Sequence, residues 1–259
     1  MSERSAFGVQ RIVVKIGASV LTDARGRLLP QNLQRLVEQV AAAHQACRQL
    51  ILVSSGAIAC GMARLGITRR PTALAQLQAC AAIGQGELMH RYTTLFARHG
   101  LLTAQVLLTQ EDLSEDARFR NTKQTLLTLL HRRVVPIVNE NDTVSVEEIT
   151  FGDNDRLAAL VTCAVDAQRL IILSDVDGFL QHGKPLARVD AAVHLHAAVK
   201  QGTRPTTKGG MPSKLEAARI VGRRGIPMIL ANGTKAGVLT RLCEGRSVGT
   251  LFVPNEKRC

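Results

Sequence analysis

Short runs of apolar residues, many of them β-branched, alternate along this chain with longer segments of amphipathic pattern. The runs predict strands at residues 12–16, 50–54, 103–108, 134–138, 169–174, 227–231 and 250–253. The amphipathic segments predict helices at residues 31–48, 72–99, 118–132, 155–165, 191–201, 213–224 and 236–244. Strands that are apolar on both faces and separated by helices are typical of parallel sheets covered on both sides. We therefore predict an α/β fold, a three-layer sandwich whose mainly parallel central sheet is flanked by helices.

The length and composition are those of a globular protein. With 259 residues, 46% of them hydrophobic, the chain can close a large core, which excludes a disordered protein. The length allows one large domain or two small ones. Because no internal repeat, low-complexity linker or composition shift divides the chain, we predict a single domain over residues 1–259.

Nothing in the sequence predicts a membrane protein or a secreted one. No apolar run approaches the roughly 20 residues that cross a bilayer, and the polar first ten residues contain no signal-peptide core. The six cysteines are scattered without a C-x-x-C pair, which argues against a disulfide framework and a zinc site. We expect a cytoplasmic protein that is not associated with membranes.

The net charge of +12 raises the question of nucleic-acid binding. The basic residues are spread along the chain in single positions and pairs, such as Arg69 and Arg70, and not in tracts. Aromatic residues make up only 3% of the chain, too few for base-stacking surfaces. We therefore expect no nucleic-acid role, and note that a basic protein also attracts small anionic molecules.

Small and polar residues follow several of the predicted strands. They occupy positions 15–19, 54–57, 139–142 and 174–178. Ligands of open parallel sheets bind outside the carboxyl ends of the strands, so these segments predict a ligand site. Neither of the common nucleotide fingerprints, G-x-x-x-x-G-K-[ST] or G-x-G-x-x-G after the first strand, is present. A nucleotide would have to be held in another way.

Lys15 interrupts an otherwise apolar strand. A lysine is seldom buried without a partner, so this one needs an anionic ligand, a carboxylate or an exposed strand end. Gly17, two residues later, would let a phosphate approach the backbone closely. A solvent-exposed lysine at the end of the strand is the alternative.

Other segments each admit a functional and an ordinary structural interpretation. Ser55 precedes a helix start, which is either an anion site or a common cap. Residues 139–142 and 152–155 combine carboxylates and amides that could grip an ammonium group or orient lysines, or could simply form turns and helix caps. Residues 208–214 join a glycine pair to a helix start and a lysine, as either a phosphate cradle or an exposed loop.

Taken together, these segments closely resemble the glutamate 5-kinases of proline biosynthesis, within the amino acid kinase superfamily. The matching residues, in the family's order, are 13–22, 53–58, 138–142, 151–155, 209–211 with Lys214, and 247–252. The resemblance implies an amino acid kinase fold in which residues 1–165 mainly bind glutamate and residues 166–259 mainly bind ATP. It also implies a short form of the family, without the C-terminal PUA domain of many members.

The resemblance implies phosphoryl transfer from ATP, with Mg²⁺, to the γ-carboxylate of L-glutamate, the first step of proline biosynthesis. A carboxylate is already ionised at neutral pH, so no general base is required. The protein must instead neutralise the negative charge of the phosphoryl group while it is transferred. By this resemblance Lys15 and Lys214 supply that charge, and Asp155 holds both lysines.

The resemblance also assigns the binding residues. Ser55, Asp142 and Asn154 would bind glutamate, with Asp142 facing the ammonium group and the other two donating to carboxylate oxygens. The residues implied for ATP are Lys15, Ser174, Asp175, Lys208, Gly209, Gly210, Met211, Pro212, Ser213 and Lys214. No metal ligand from the protein is assigned. The chain departs from the family pattern at Lys208, at Pro212 and in a short segment after Asp177, all in the nucleotide region.

By analogy with the family, we also expect feedback inhibition by proline, a homo-oligomer and functional coupling to a glutamyl phosphate reductase. Two alternatives to the proposed reaction stay open on the sequence. One is an amino acid kinase with a different acceptor, and the other is a sensor that binds glutamate or proline without turnover.

Overall fold

One continuous sheet organises the structure, a computed structural model that describes residues 10–23, 26–46, 48–144, 154–181, 184–190 and 210–254. The strands are β1 (Gln10–Ile16), β2 (Arg48–Val53), β3 (Thr103–Leu108), β4 (Val135–Glu140), β5 (Arg169–Ser174), β6 (Leu180–Gln181), β7 (Lys184–Pro185), β8 (Arg188–Asp190), β9 (Met228–Asn232) and β10 (Thr250–Val253). Among these described strands, eight form the sheet in the order β3-β4-β2-β1-β5-β9-β10-β8, and β6 pairs with β7 in a small hairpin.

The helices alternate with the strands along the chain. They are α1 (Ala18–Leu21), α2 (Pro30–Gln45), α3 (Ala57–Arg64), α4 (Leu74–Ala97), α5 (Asp116–His131), α6 (Asn154–Ala164), α7 (Met211–Gly222) and α8 (Val238–Cys243), with a 3₁₀ turn at Glu111–Leu113. None of these helices combines the length and the apolar character that crossing a membrane requires.

Strand β1 is the point at which the order of the sheet reverses. It pairs in parallel with β2 on one side and with β5 on the other. Strands β2 to β4 lie on the β2 side, and the later strands lie on the β5 side. In the sheet, β10 runs antiparallel to β9, and the other pairings are parallel. Such a reversal opens a crevice at the carboxyl ends of the central strands, where ligands bind.

Two apolar clusters fill the space between the sheet and its helices. One face of the sheet packs against α2, α4 and α8, and includes Ile12, Val14 and Ile16 of β1. The other face packs against α5, α6 and α7, and includes Val13 of the same strand. Because side chains alternate along a strand, Lys15 points to the same side as Val13, toward α6 and α7. The predicted three-layer α/β sandwich with a mainly parallel sheet is confirmed.

The predicted strands are all present, with ends that shift by a few residues. The helix predicted at 213–224 begins at Met211, because Pro212 fits the first turn of a helix. Strands β6, β7 and β8, which are two or three residues long and mostly exposed, were not predicted from the sequence. Strands so short carry no readable alternation. The helix predicted at 191–201 lies outside the described residues.

Candidate active site

Two lysines share one buried aspartate at the centre of the molecule. Lys15 Nζ lies 2.6 Å from Asp155 Oδ1, and Lys214 Nζ lies 3.0 Å from Asp155 Oδ2. The aspartate side chain is fully buried, and each lysine side chain is 7% exposed. The three residues come from β1, α6 and α7, so the tertiary fold alone brings them together.

Local structure explains how each group reaches this point. Lys15 lies near the carboxyl end of the central strand and is in register with Val53 of β2 and Ile172 of β5. Asp155 lies in the first turn of α6, where a helix favours a negative charge. Lys214 lies in the first turns of α7, one residue after Ser213, whose hydroxyl is 3.0 Å from Asp155 Oδ2.

The charges of this cluster favour an anionic ligand. Burial raises the pKa of Asp155, but the two ammonium groups beside it outweigh burial and hold that pKa below its usual range. Asp155 is therefore ionised at neutral pH, and two positive charges face one negative charge. The amino ends of α6 and α7 add their partial positive charge nearby. A phosphate group would complete the neutralisation of the two lysines.

A chain of buried amides lies beside the lysine pair. Asn154 Nδ2 donates to the Ser54 carbonyl oxygen (2.7 Å) and to Asn139 Oδ1 (2.9 Å), and it is 3.1 Å from Ser55 Oγ. Asn139 Nδ2 in turn donates to Gln85 Oε1 at 2.8 Å. The carbonyl oxygen of Ser54 can only accept, so it fixes which end of the Asn154 amide carries the hydrogens.

These hydrogen bonds between buried amides determine which atom Asn154 can offer to a ligand. Its amide nitrogen has two hydrogens and three acceptors within the protein. The side-chain oxygen is therefore the atom that Asn154 can present without breaking these bonds. This oxygen can accept a hydrogen bond from a substrate ammonium group. The predicted donation from the Asn154 nitrogen to a substrate carboxylate would instead require one of the existing hydrogen bonds to break.

The three residues predicted to bind glutamate line a single pocket. Ser55, Asp142 and Asn154 surround it together with Arg70 and the first turn of α3. Because Asn154 directly precedes Asp155, this wall of the pocket adjoins the lysine pair. The pocket therefore offers carboxylate, amide, hydroxyl and guanidinium groups next to a site that attracts phosphate.

The first turn of α3 is positioned by close packing against α4. A Cβ atom added to Gly84 of α4 would lie 1.8 Å from the Ala57 carbonyl oxygen, and one added to Gly61 of α3 would lie 1.8 Å from the Cys80 carbonyl oxygen. The two helices therefore approach closely enough that only glycine fits at these two contacts. This packing sets where the pocket wall formed by α3 stands.

Those residues predicted to bind ATP that the structure describes lie at the ends of β1 and β5 and at the start of α7. Ser174 ends β5, and its hydroxyl donates to Asp175 at 3.1 Å. Gly17 follows β1, and its amide donates to the Leu173 carbonyl oxygen at 2.9 Å. Residues 210–214 form the entry to α7 beside Asp155. Lys208, Gly209 and Asp153 lie outside the described residues.

Sequence reasoning gave no role to three groups that the structure places at the site. Gln85 and Tyr92 are buried on α4, and the Tyr92 hydroxyl is 2.9 Å from Ser54 Oγ. Their signal was a polar group at a core-facing position of an otherwise apolar helix. Arg70 carried no such signal, because a basic pair in a connecting segment is common on protein surfaces.

Comparisons with known proteins find similar sequences over most of the chain. The profile of the Amino acid kinase family matches residues 10–232. Glutamate 5-kinase of Geobacter metallireducens is 48% identical over 95% of this chain and 68% of its own length. Glutamate 5-kinase of Moorella thermoacetica is 43% identical over 96% of this chain and 68% of its own length.

Two solved structures are similar in fold. UMP kinase from Bacillus anthracis has a TM-score of 0.60 and 14% identity, covering 95% of this chain and 97% of its own. Carbamate kinase from Giardia lamblia, bound to citric acid, has a TM-score of 0.64 and 15% identity, covering 95% of this chain and 98% of its own. At these identities the likeness concerns the fold alone.

Proposed function

The chain belongs to the amino acid kinase family, and we propose that it transfers the γ-phosphoryl group of ATP to the γ-carboxylate of L-glutamate. The product is L-glutamyl 5-phosphate, the first intermediate of proline biosynthesis. The observation that carries the proposal is the buried Lys15–Asp155–Lys214 cluster beside a pocket that contains Asp142. Relatives named glutamate 5-kinase, at 43–48% identity, support this activity over another acceptor or a sensor without turnover.

The reaction needs positioning and charge neutralisation more than proton transfer. A γ-carboxylate oxygen attacks the γ-phosphorus of ATP, the new oxygen–phosphorus bond forms, and the bond to the β-phosphate oxygen breaks to release ADP. No proton moves, because the attacking carboxylate is ionised at neutral pH. The protein's part is to bring two anions together and to stabilise the charge on the phosphoryl oxygens.

We assign that stabilisation to Lys15 and Lys214. Both ammonium groups are almost completely buried, so their interaction with phosphate is weakly screened by water. Asp155 contacts both ammonium groups and fixes where they stand, so we assign it a positioning role. The entry to α7, with Gly210 and Ser213, would present backbone N–H groups to the phosphates of ATP. Ser174 and Asp175, at the end of β5, complete the proposed nucleotide side.

Glutamate would lie in the pocket lined by Ser55, Asp142 and Asn154. The Asp142 carboxylate suits the ammonium group, and the Asn154 oxygen can contribute to the same group. In this proposal glutamate would bind on the β2–β4 side of β1 and the nucleotide on the β5 side. It agrees with the division of binding roles between residues 1–165 and residues 166–259 that the family resemblance implies, and that division stays a prediction.

We propose that Mg²⁺ enters with ATP. Among the described residues, no three His, Cys, Asp or Glu side chains converge as a metal cage, and Asp155 is engaged by two lysines. Mg²⁺ in kinases is held largely by substrate phosphates and water, with one or two carboxylates. We propose that Asp175, an exposed carboxylate directly after β5, would contribute one. Bound there, the ion would neutralise phosphate charge. Proline inhibition, homo-oligomer formation, coupling to a glutamyl phosphate reductase and a cytoplasmic location stay predictions from the family.

The test is an acceptor panel with the purified chain, ATP and Mg²⁺. L-Glutamate, L-aspartate, N-acetyl-L-glutamate and UMP are compared by ADP formation, and hydroxylamine traps any acyl phosphate as a hydroxamate. We expect ADP and hydroxamate in equal amounts with glutamate, and background rates with the other three. A preferred acceptor other than glutamate, or no turnover by folded protein, would refute the proposal.

A further inference from the structure

Bound glutamate leaves one of its three charges without a counterpart among the groups assigned so far. Its ammonium group meets Asp142, and its γ-carboxylate must approach the phosphoryl group near Lys15 and Lys214. The α-carboxylate would then enter a pocket that already carries the carboxylates of Glu140 and Asp142. An uncompensated anion there would weaken binding, so the pocket requires a cation for it.

Arg70 is the cationic side chain among the described residues that line this pocket. It lies in the segment between α3 and α4 and is exposed to solvent. It forms no ion pair with any described residue, whereas Arg91, on the neighbouring helix α4, is paired with Glu87. The Arg70 guanidinium is therefore available to a ligand. Its planar fork matches a carboxylate with two parallel hydrogen bonds.

We propose that Arg70 binds the α-carboxylate of L-glutamate and makes the enzyme selective for acceptors that carry this group. The inference rests on the proposed function and adds a specificity residue to it. The adjacent Arg69 has the same charge, is also exposed, and is not part of the pocket lining. Arg69→Ala is therefore a matched control for the loss of one positive charge from this segment.

The first experiment compares Arg70→Ala, Arg70→Lys and Arg69→Ala with the unmodified chain. Arg70→Ala removes a charge-assisted hydrogen-bonded pair with the substrate, and this loss of binding free energy should raise KM for glutamate about 10- to 100-fold. KM for ATP should change less than about threefold, and Arg70→Lys should fall between, since a lysine keeps the charge without the fork. Arg69→Ala should behave as the unmodified chain. A KM for glutamate in Arg70→Ala within twofold of Arg69→Ala would overturn the proposal.

The second experiment identifies the group that Arg70 contacts. The α-amide of glutamate keeps the γ-carboxylate and the ammonium group but lacks the α-carboxylate charge, and it is tested as a competitive inhibitor. The unmodified chain should prefer glutamate to this amide at least about tenfold, and Arg70→Ala should lose most of that preference. A preference that persists in the variant, including a complete lack of inhibition by the amide, would overturn the assignment.

The two proposals fail in different ways. Absence of hydroxamate from the unmodified chain with glutamate refutes the proposed function. An active chain whose Arg70→Ala variant keeps its KM for glutamate refutes the role of Arg70 alone.

Discussion

Asp155 is a buried charge whose ionisation depends on two neighbours. Removing a carboxylate from water is costly, and here two ammonium groups at 2.6 and 3.0 Å offset that cost. The Ser213 hydroxyl, 3.0 Å from Oδ2, adds a hydrogen-bond donor. The dependence is mutual, since each lysine is also nearly buried and needs the aspartate when no phosphate is bound.

Asp155→Asn should therefore destabilise the protein in the absence of ATP. The substitution keeps the shape of the side chain but leaves two buried ammonium groups facing each other. We expect the free energy of unfolding to fall by about 3 kcal/mol at neutral pH, measured by urea denaturation. Asp177→Asn removes an exposed carboxylate that pairs with Lys235, and it should lower stability far less than Asp155→Asn, because water screens an exposed ion pair. Equal effects of the two substitutions would contradict the account.

The difference in stability between the unmodified chain and Asp155→Asn should become smaller in acid. The folded-state pKa of Asp155 is lowered, so its stabilisation is fully present above the unfolded-state value of about 3.9. It is lost as pH falls through the folded-state pKa, where the protonated aspartate resembles the asparagine. The gap between the unmodified chain and Asp155→Asn should stay constant from pH 7 to about pH 5 and narrow below about pH 4. A gap that widens in acid would contradict this assignment.

Sequence reasoning at the scale of single residues succeeded where a residue broke a pattern. Lys15 stood out as a charge inside an apolar strand, and the structure supplies Asp155 as the carboxylate that it required. Arg70 broke no pattern, because its meaning depends on a pocket formed by segments distant in sequence. Gln85 could have been noticed, but its partner Asn139 lies 54 positions away along the chain, and sequence alone does not pair them.

The pair α3 and α4 illustrates how elements position the site. The first turn of α3 forms part of the proposed glutamate pocket, and Gly84 lets the backbone of α4 approach it closely. The same helix α4 carries Gln85, which accepts a hydrogen bond from Asn139, and Asn139 in turn accepts one from Asn154. A shift of α4 would therefore disturb both the pocket wall and the orientation of Asn154.

Gly84→Ala should reduce both stability and glutamate affinity. The added methyl group would lie 1.8 Å from the Ala57 carbonyl oxygen, a contact that the helices can relieve only by moving apart. We expect a loss of about 2–3 kcal/mol in the free energy of unfolding. We also expect a higher KM for glutamate with a nearly unchanged KM for ATP. Steady-state kinetics and urea denaturation measure the two effects.

Gly86→Ala, two residues further along the same helix, is the control. A Cβ atom at Gly86 meets nothing within 4 Å, so the substitution should stabilise the helix by up to about 1 kcal/mol and leave both KM values unchanged. If Gly84→Ala proved as harmless as Gly86→Ala, the close packing of α3 against α4 would not position the pocket.

Long helices with a regular pattern of apolar residues could be predicted from the sequence, but the way in which they pack together could not. The segment 72–99 was recognised as a helix, and α4 occupies Leu74–Ala97. Nothing in the sequence of this helix showed that its two glycines, Gly84 and Gly86, have such different surroundings. That difference arises only when α3 is placed against α4, and it depends on the tertiary structure.

At the scale of the whole molecule, the topology of the sheet determines where chemistry can occur. Strand β1 lies at the reversal of strand order, and the groups at the ends of β1, β2, β4 and β5 meet there. The sequence predicted this convergence, because polar and small residues follow these same strands. It could not predict the antiparallel β10, since a short apolar strand has the same pattern in either direction.

The central claim is that the γ-carboxylate of glutamate itself attacks the γ-phosphorus of ATP. The most direct measurement uses L-glutamate labelled with 18O in both γ-carboxylate oxygens, with ATP, Mg²⁺ and hydroxylamine. Hydroxylamine attacks the acyl carbon of the product, so the released phosphate should carry one 18O atom and the hydroxamate should keep the other. Lys214→Ala, which removes one of the two proposed phosphoryl-binding charges, should release labelled phosphate at least about 100-fold more slowly. Phosphate free of 18O, released together with ADP by the unmodified chain, would mean that water and not glutamate accepts the phosphoryl group.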